Sequence, residues 1–388
     1  MIEGFEMIDR EIKKILTDRF FRGKIILLIG PRQVGKTTLS KTIVNEIEVD
    51  HLWLDGDEPD VRILFSNVNS LRLKNIVGDK KVVVIDEAQR IPHIGINLKL
   101  MIDNMPEIQF LVTGSSALEL TDELKEPLTG RKYEYFLYPL SFSEMSSQNG
   151  LLNELRLLEQ RMIYGYYPEV VTSPGNEKEI LRLLSDSYLY KDILKAGLVK
   201  KPPILEKIIQ ALALQLGSEV SFAELAQLTG IDNATVERYV DLLEKAFVIF
   251  RISSLSRNAR NEIKKGKKIY FYDNGIRNSV IKNFAPLQLR NDVGALWENF
   301  LISERIKNNQ ISGRWINKYF WRTHAQQEID YIEECDGILH AYEFKWNPKK
   351  KAKIPKTFSR LYPDSKIEII TRDNFENFVK SSMKSSLR

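Results

Sequence analysis

Gly30-Pro-Arg-Gln-Val-Gly-Lys-Thr37 lies directly after an apolar, β-branched run, Lys24 to Ile29, and opens a helical pattern that continues from Thr37 to Val49. A strand, a glycine-bounded loop and a helix in that order are the context that the pattern G-x-x-x-x-G-K-[ST] demands. Gly30 and Gly35 permit backbone torsions that aim successive N–H groups at phosphate oxygens, and the helix adds the positive end of its dipole. Lys36 brings a point charge to the β- and γ-phosphates, and the Thr37 hydroxyl is a ligand for Mg2+. The expected ATP-binding set is Gly30, Pro31, Arg32, Gln33, Val34, Gly35, Lys36, Thr37 and Thr38.

The partner of that loop is Val82-Val-Val-Ile-Asp-Glu87, four β-branched residues of a buried strand with two acids at its C-terminal end, where ligands bind in open α/β sheets. Asp86 is expected to hold Mg2+ through water and Glu87 to polarise the attacking water. A third strand, Gln109 to Thr113, runs into Thr113-Gly-Ser-Ser116 and brings hydroxyls, Ser115 among them, to where a γ-phosphate is sensed. Further strand patterns at His51 to Leu54 and Lys132 to Leu137 alternate with helical ones such as Ile96 to Asn104. This alternation predicts a parallel sheet with helices on both faces.

Of the 388 residues, 43% are hydrophobic and 28% charged, an ordinary globular balance that leaves room for two or three domains. No run approaches the ~18 apolar residues of a membrane span, and Met1 to Arg10 lacks the apolar stretch of a secretory signal, so a cytoplasmic protein is expected. The lone Cys335 excludes an internal disulfide, and His51, His93, His324 and His340 show no metal-ligand spacing. The net charge of +5 is unevenly spread. Ser256 to Arg388 holds 26 Lys and Arg against 15 Asp and Glu, or +11, which leaves −6 for the preceding residues. A polyanion partner for the basic end is one reading; a solvated loop is the other for its densest cluster, Lys349, Lys350, Lys351, Lys353 and Lys356.

From Asn153 to Ala213 the pattern is helical, broken by Pro168, Pro174 and Pro202-Pro203. Ser221 then caps a short helix, Phe222 to Leu228, Thr229-Gly230 turns, and Asn233 to Ala246 forms a second helix. Two short helices across a glycine turn resemble a helix-turn-helix. Strands at Phe247 to Ile252 and Lys268 to Tyr272 enclose a basic loop with Arg257, Arg260, Lys264, Lys265 and Lys267, as the wing of a winged helix would. A small α/β domain follows, with a helix over Ala295 to Lys307 and strands near Asn317 to Arg322, Ile329 to Ile332, Leu339 to Lys345 and Lys366 to Ile370.

The stretches GPRQVGKTTL, LWLDGDEPDVR, VVVIDEAQRIP, FLVTGSSA, LTGRKYEYFLYPLSFSEM, YKDIL and KIYFYDNG together resemble the AAA+-like archaeal and bacterial ATPases that join an ATPase domain to a winged helix and a nuclease-like C-terminal domain. The resemblance implies that Arg131, in LTGR, acts on the γ-phosphate in cis or from a neighbouring subunit. One departure is Tyr166 in Gly165-Tyr166-Tyr167-Pro168, where the family usually carries a second glycine; it argues against a glycine-dependent hinge. Glu298 on a helix, Asp330 in Glu328-Ile-Asp330 and Glu343-Phe-Lys345 resemble the E…D…ExK constellation of restriction-like nucleases, which implies a second Mg2+ site at Glu298, Asp330 and Glu343 with Lys345 orienting water.

The expected fold is thus α/β: a P-loop NTPase with an AAA+-like parallel sheet, a helical subdomain, a winged helix and a restriction-endonuclease-like terminal domain. The expected boundaries are 1–22, 23–145, 146–203, 204–280 and 281–388. The expected activity is ATP hydrolysis with Mg2+, coupled to double-stranded DNA. A slow ATP-gated switch acting on protein partners and an ATP-regulated DNA nuclease are the alternatives. Assembly into a homo-oligomer stays open.

Overall fold

In the computed structural model, residues 7–115, 127–187, 199, 201–256, 266–323, 325–350 and 354–380 are described. Ser116, the YKDIL segment, the wing residues Arg257, Arg260, Lys264 and Lys265, His324, and Lys351 and Lys353 lie outside them. The chain divides into two compact units, one reaching to Leu140 with Lys245–Phe247, the other taking up nearly all the remainder.

In the first unit, β1 (Ile25–Ile29), β2 (His51–Asp55), β3 (Val82–Asp86), β4 (Gln109–Gly114) and β5 (Lys132–Phe136) form a parallel sheet of order β2-β3-β4-β1-β5. Every residue of β1, β3 and β4 is buried, as continuous apolar runs in a sheet covered on both faces require. Because β4 lies between β1 and β3, the C-terminal ends of these three strands meet at one edge. That edge brings together Gly30, Asp86 with Glu87, and Ser115. Helix Ile12–Thr17 buries Ile12 and Leu16, and just before it Arg10 donates to the carbonyls of Val34 (2.8 Å) and Tyr138 (2.7 Å), pinning the glycine-bounded loop to the chain beyond β5.

The second unit opens with short helices from Phe142–Asn149 to Glu177–Ser187. Helix Pro202–Leu214, β6 (Glu219–Val220), helices Phe222–Thr229 and Asn233–Lys245, and the hairpin β7 (Ile249–Ser254) and β8 (Lys267–Phe271) follow, with β6 antiparallel to β8. Helix Val293–Ile311 then leads to the antiparallel β9 (Asn317–Arg322), β10 (Glu328–Cys335) and β11 (Ile338–Lys345), and β12 (Lys366–Thr371) lies parallel to β11. All of these strands share one sheet of order β12-β11-β10-β9-β7-β8-β6, because β7 pairs with β9 at Ser253–Tyr319 and Ser254–Phe320. The expected boundary at 280/281 therefore does not interrupt the sheet.

Gly165, φ 74°, explains the departure at Tyr166. A Cβ at Gly165 would lie 2.1 Å from Oδ1 of Asp273, whose carboxylate accepts the Tyr166 N–H at 2.7 Å and the Ile276 N–H at 3.0 Å. The Tyr166 side chain is buried and donates its hydroxyl to Glu154 at 3.1 Å. A fully packed junction stands where a hinge glycine would have been. Burial holds the Asp273 carboxyl above its ordinary range. Among the described residues no helix is long and apolar enough to cross a membrane.

Candidate functional site

The first constellation assembles from three strand ends. Thr37, at the start of helix Lys36–Ile47, donates its hydroxyl to Oδ2 of Asp86 at 2.7 Å, and the Thr113 hydroxyl donates to Oδ1 of the same carboxylate. Thr113 also accepts the Glu87 N–H at 3.2 Å, so one hydroxyl orders both acids. Lys36 is buried, with its ammonium donating to the carbonyls of Gly30 (2.9 Å) and Pro31 (2.8 Å). An ammonium buried beside a glycine-bounded loop is placed where an anion completes it.

Glu87 leaves the strand at φ 47°, a left-handed conformation that only a constrained turn sustains for glutamate. The constraint comes from the LWLDGDEPDVR stretch. Gly56 donates its N–H to Asp86 O at 2.8 Å, and a Cβ there would meet Glu87 O at 2.5 Å, so only glycine allows the approach. Arg62 fixes that turn by donating to the carbonyls of Gly56 and Asp57, and Arg90 pairs with Asp57 at 3.3 Å.

Gln89 is a site residue that motif reading passes over. Its amide nitrogen donates to Oε2 of Glu87 and to the Ser115 hydroxyl (2.8 Å), while its carbonyl oxygen accepts the Ser115 N–H at 3.4 Å. Ser115 is buried and is linked to Glu87 through this amide. The available signal was a polar side chain two residues beyond the acid, in VVVIDEAQRIP.

Arg131 stands elsewhere. It precedes β5, and Ile25, at the N-terminal end of β1, donates its N–H to Arg131 O. The loop after Ile29 is a full strand away, about 16 Å at ~3.3 Å per residue, and the guanidinium is engaged by Asp103 at 2.6 and 3.2 Å. The arginine thus lies at the opposite edge of the sheet from the nucleotide loop of its own chain.

The terminal constellation comes together in part. Tyr331 pairs with Tyr342, which sets Asp330 across from Glu343, and the Phe344 N–H donates to Oδ2 of Asp330 at 2.8 Å. Lys345 binds Oε1 of Glu343 at 2.6 Å, the same-face contact of residues two apart in a strand. Glu298 joins from helix Val293–Ile311, but its partners are Lys268 (3.1 Å) and the Tyr270 hydroxyl (2.5 Å), both from β8. Lys268 also reaches Glu328 at 2.5 Å. Burial, with Asp330 adding repulsion, pushes the carboxyls of Glu298 and Glu343 up to about 7, and that of Asp330 also above its ordinary range. Among the described residues no group of three or more His, Cys, Asp or Glu side chains is arranged to hold a metal ion. A lysine that motif reading did not place, Lys268, stands beside the expected Mg2+ ligands Glu298, Asp330 and Glu343, and Oε2 of Glu343 is buried without a hydrogen-bond partner.

With this geometry in view, comparison with known proteins is informative. Residues 22–146 match the model of an AAA domain. Residues 155–287 and 293–384 match two models described as domains of unknown function, DUF8612 and DUF4143. The first segment is thus an AAA-type P-loop domain, a nucleotide-binding fold. An uncharacterized protein of Mycobacterium tuberculosis is 27% identical over 339 residues, 84% of this chain and 70% of the relative. Another, of Haemophilus influenzae, is 32% identical over 181 residues, 44% and 45% of the two chains. Among solved structures, the RuvB Holliday junction branch migration motor of Thermotoga maritima is similar at 18% identity and a TM-score of 0.32, over 66% of this chain and 95% of that one.

Proposed function

We propose that the protein hydrolyses ATP with Mg2+ and couples that turnover to duplex DNA. The observation that carries the first half is the Thr37–Asp86 contact at 2.7 Å, with Glu87 one residue further on. The hydroxyl and the carboxylate supply the oxygen donors a hard cation takes, so Thr37 and, through water, Asp86 would hold Mg2+, which offsets phosphate charge when bound. Lys36 leaves its two carbonyl partners for the β- and γ-phosphates, and backbone N–H groups from Arg32 to Thr38 complete the phosphate cradle. Glu87 takes a proton from the attacking water, and Ser115 lies beside it to report on the γ-phosphate through Gln89.

Support for DNA comes from the order helix, strand, two helices and hairpin in residues 202–271, which we read as a winged helix. Its second helix, Asn233–Lys245, is acidic in sequence, yet Arg251 pairs with Asp241 (2.8 Å) and Glu244 (2.7 Å). This internal neutralisation leaves Glu237 as the acid on the exposed face, beside Arg238. Phosphate contacts require binding that weakens steeply as salt rises. Duplex affinity that ignores ionic strength would remove the DNA half, and turnover that survives Lys36→Ala would remove the ATPase half.

A slow ATP-gated switch acting on protein partners is the second reading. It is favoured by one observation, the Gln89 amide on Oε2 of the Glu87 carboxylate, which stabilises the ionised form and makes it a weaker base. Turnover measured with and without duplex separates the two, since a coupled ATPase accelerates and a switch stays slow.

A further inference from the structure

We propose that the turn Arg19-Phe-Phe-Arg-Gly-Lys24, at the N-terminal edge of the first sheet, binds single-stranded nucleic acid, the Phe21 ring stacking on a base while Arg19, Arg22 and Lys24 meet phosphates. This surface belongs to the first unit and is separate from the winged helix.

Phe21 stands at φ 56°, a left-handed conformation that a bulky side chain keeps only where its surroundings impose it. Phe247 has nearly the same torsion, φ 58°, and is buried, so packing offsets its strain. Phe21 has no such return: it is 49% exposed, and its ring meets that of Phe20 edge to face, with centroids 6.0 Å apart. The turn is held by Gln109, a buried side chain at the start of β4. Its carbonyl oxygen accepts the Phe21 N–H at 2.7 Å, and its amide nitrogen donates to the carbonyls of Lys24 (3.2 Å) and Phe110 (2.9 Å). One side chain therefore clamps a strained turn at two points and fixes an aromatic ring half in water. Strain that yields exposure instead of packing points to a partner.

The charges around the ring say what that partner is. Arg131 and Lys132, at the start of β5, are paired with Asp103 and Glu134. Arg19, Arg22 and Lys24 have no ion pair among the described residues. Arg19 and Lys24 instead share the ring of Tyr133, at 5.0 and 5.1 Å from its centroid, and Arg19 also donates to the Tyr135 hydroxyl. A neutral ring positions two cations without neutralising either. Cations without carboxylate partners beside an exposed aromatic ring are the two components of a single-strand site, one for the backbone and one for a base face. A duplex offers phosphates but hides its base faces within the stack, and an acidic protein would meet the cations but leave the ring unused. A single strand engages both.

The experiment is fluorescence anisotropy of a labelled oligothymidylate titrated with the full-length protein over a range of salt, beside a duplex of mixed sequence, with each variant's fold checked by its melting transition. Wild type should bind the strand with an affinity that falls as salt rises. Phe21→Gly removes the ring and suits the left-handed torsion, so it should bind about fivefold or more weakly, the scale of one lost base stack, with its salt slope unchanged. Arg22→Gln, Lys24→Gln should weaken binding and flatten the slope by about 1.4, the share of two phosphate contacts. Phe21→Trp, which restores a stacking ring, should bind as wild type does. Duplex affinity, which tests the winged helix, should be the same in all of these proteins. Wild type that binds no strand at low salt, or strand affinity unchanged in Phe21→Gly, overturns the proposal. An equal loss for strand and duplex overturns it too, as does self-association that falls in sedimentation while strand affinity stays, which would make the turn an interface between copies.

Discussion

Two assignments at the nucleotide site separate binding from chemistry. Lys36→Ala removes the charge that pairs with phosphate and should abolish ATP binding in an equilibrium assay. Glu87→Gln keeps the fold and the phosphate contacts, so it should bind ATP normally while hydrolysing about 100-fold or more slowly, the scale of a lost general base. Unchanged turnover in Glu87→Gln would remove the base assignment. Gln89 makes a subtler case. It orients Glu87 and Ser115 through one amide, so Gln89→Ala should leave ATP affinity unchanged and alter kcat by about tenfold, the modest end of what misplacing a reacting group costs. Unchanged kcat in Gln89→Ala would mean that Gln89 does not position the reacting groups.

The strands of the AAA-type sheet were legible because β1, β3 and β4 are buried on both faces and read as unbroken apolar runs. The two-residue β6 offered too few positions for any periodicity, and the six-residue helix Pro59–Leu64 spans less than two turns. Lys268 was invisible as a site residue for a different reason. It pairs with Glu298 and Glu328 only through the parallel β7–β9 contact, and strand order is not written in local pattern. Gly165 is the element-scale position open to a direct test. Gly165→Ala drives a methyl group into the Asp273 carboxylate and asks alanine to hold φ 74°, so it should destabilise the second unit by about 2 kcal/mol or more, the scale of overpacking a buried site. Denaturant unfolding reads this, and a loss below ~0.5 kcal/mol would show that the junction yields. The Glu298 carboxyl gives a pH signature with a defined sign. Its folded value of about 7 lies above the ordinary 4.5, so the native state binds the proton more tightly. Its contribution to stability is present below about 4.5 and is lost as pH rises through about 7. Wild type should therefore lose stability over that window, and Glu298→Gln should show a shallower decline; parallel curves would assign the titration to other groups.

For the whole molecule, the telling fact is the position of Arg131 relative to its own nucleotide loop. The parallel register of β1 with β5, Ile25 opposite Lys132 through Ile29 opposite Phe136, leaves no doubt about which edge each occupies. Arg131 sits at the N-terminal edge and Gly30 begins at the C-terminal one, so if Arg131 acts on a γ-phosphate, that nucleotide belongs to a second copy of the chain. Phosphoryl transfer makes such a residue valuable, since an arginine supplied in trans is worth about 10³–10⁵ in rate. Mixing two defective proteins tests this directly. Lys36→Ala keeps Arg131 but cannot hold nucleotide; Arg131→Ala holds nucleotide but has no arginine to give. Each alone should be inactive. Combined, they form interfaces in which an intact nucleotide site faces an intact Arg131, and turnover should return to a substantial fraction of the wild-type rate, rising with protein concentration as assembly does. A mixture as silent as its components, under conditions where wild type is active and sedimentation shows the variants associated, would mean that Arg131 serves only its ion pair with Asp103.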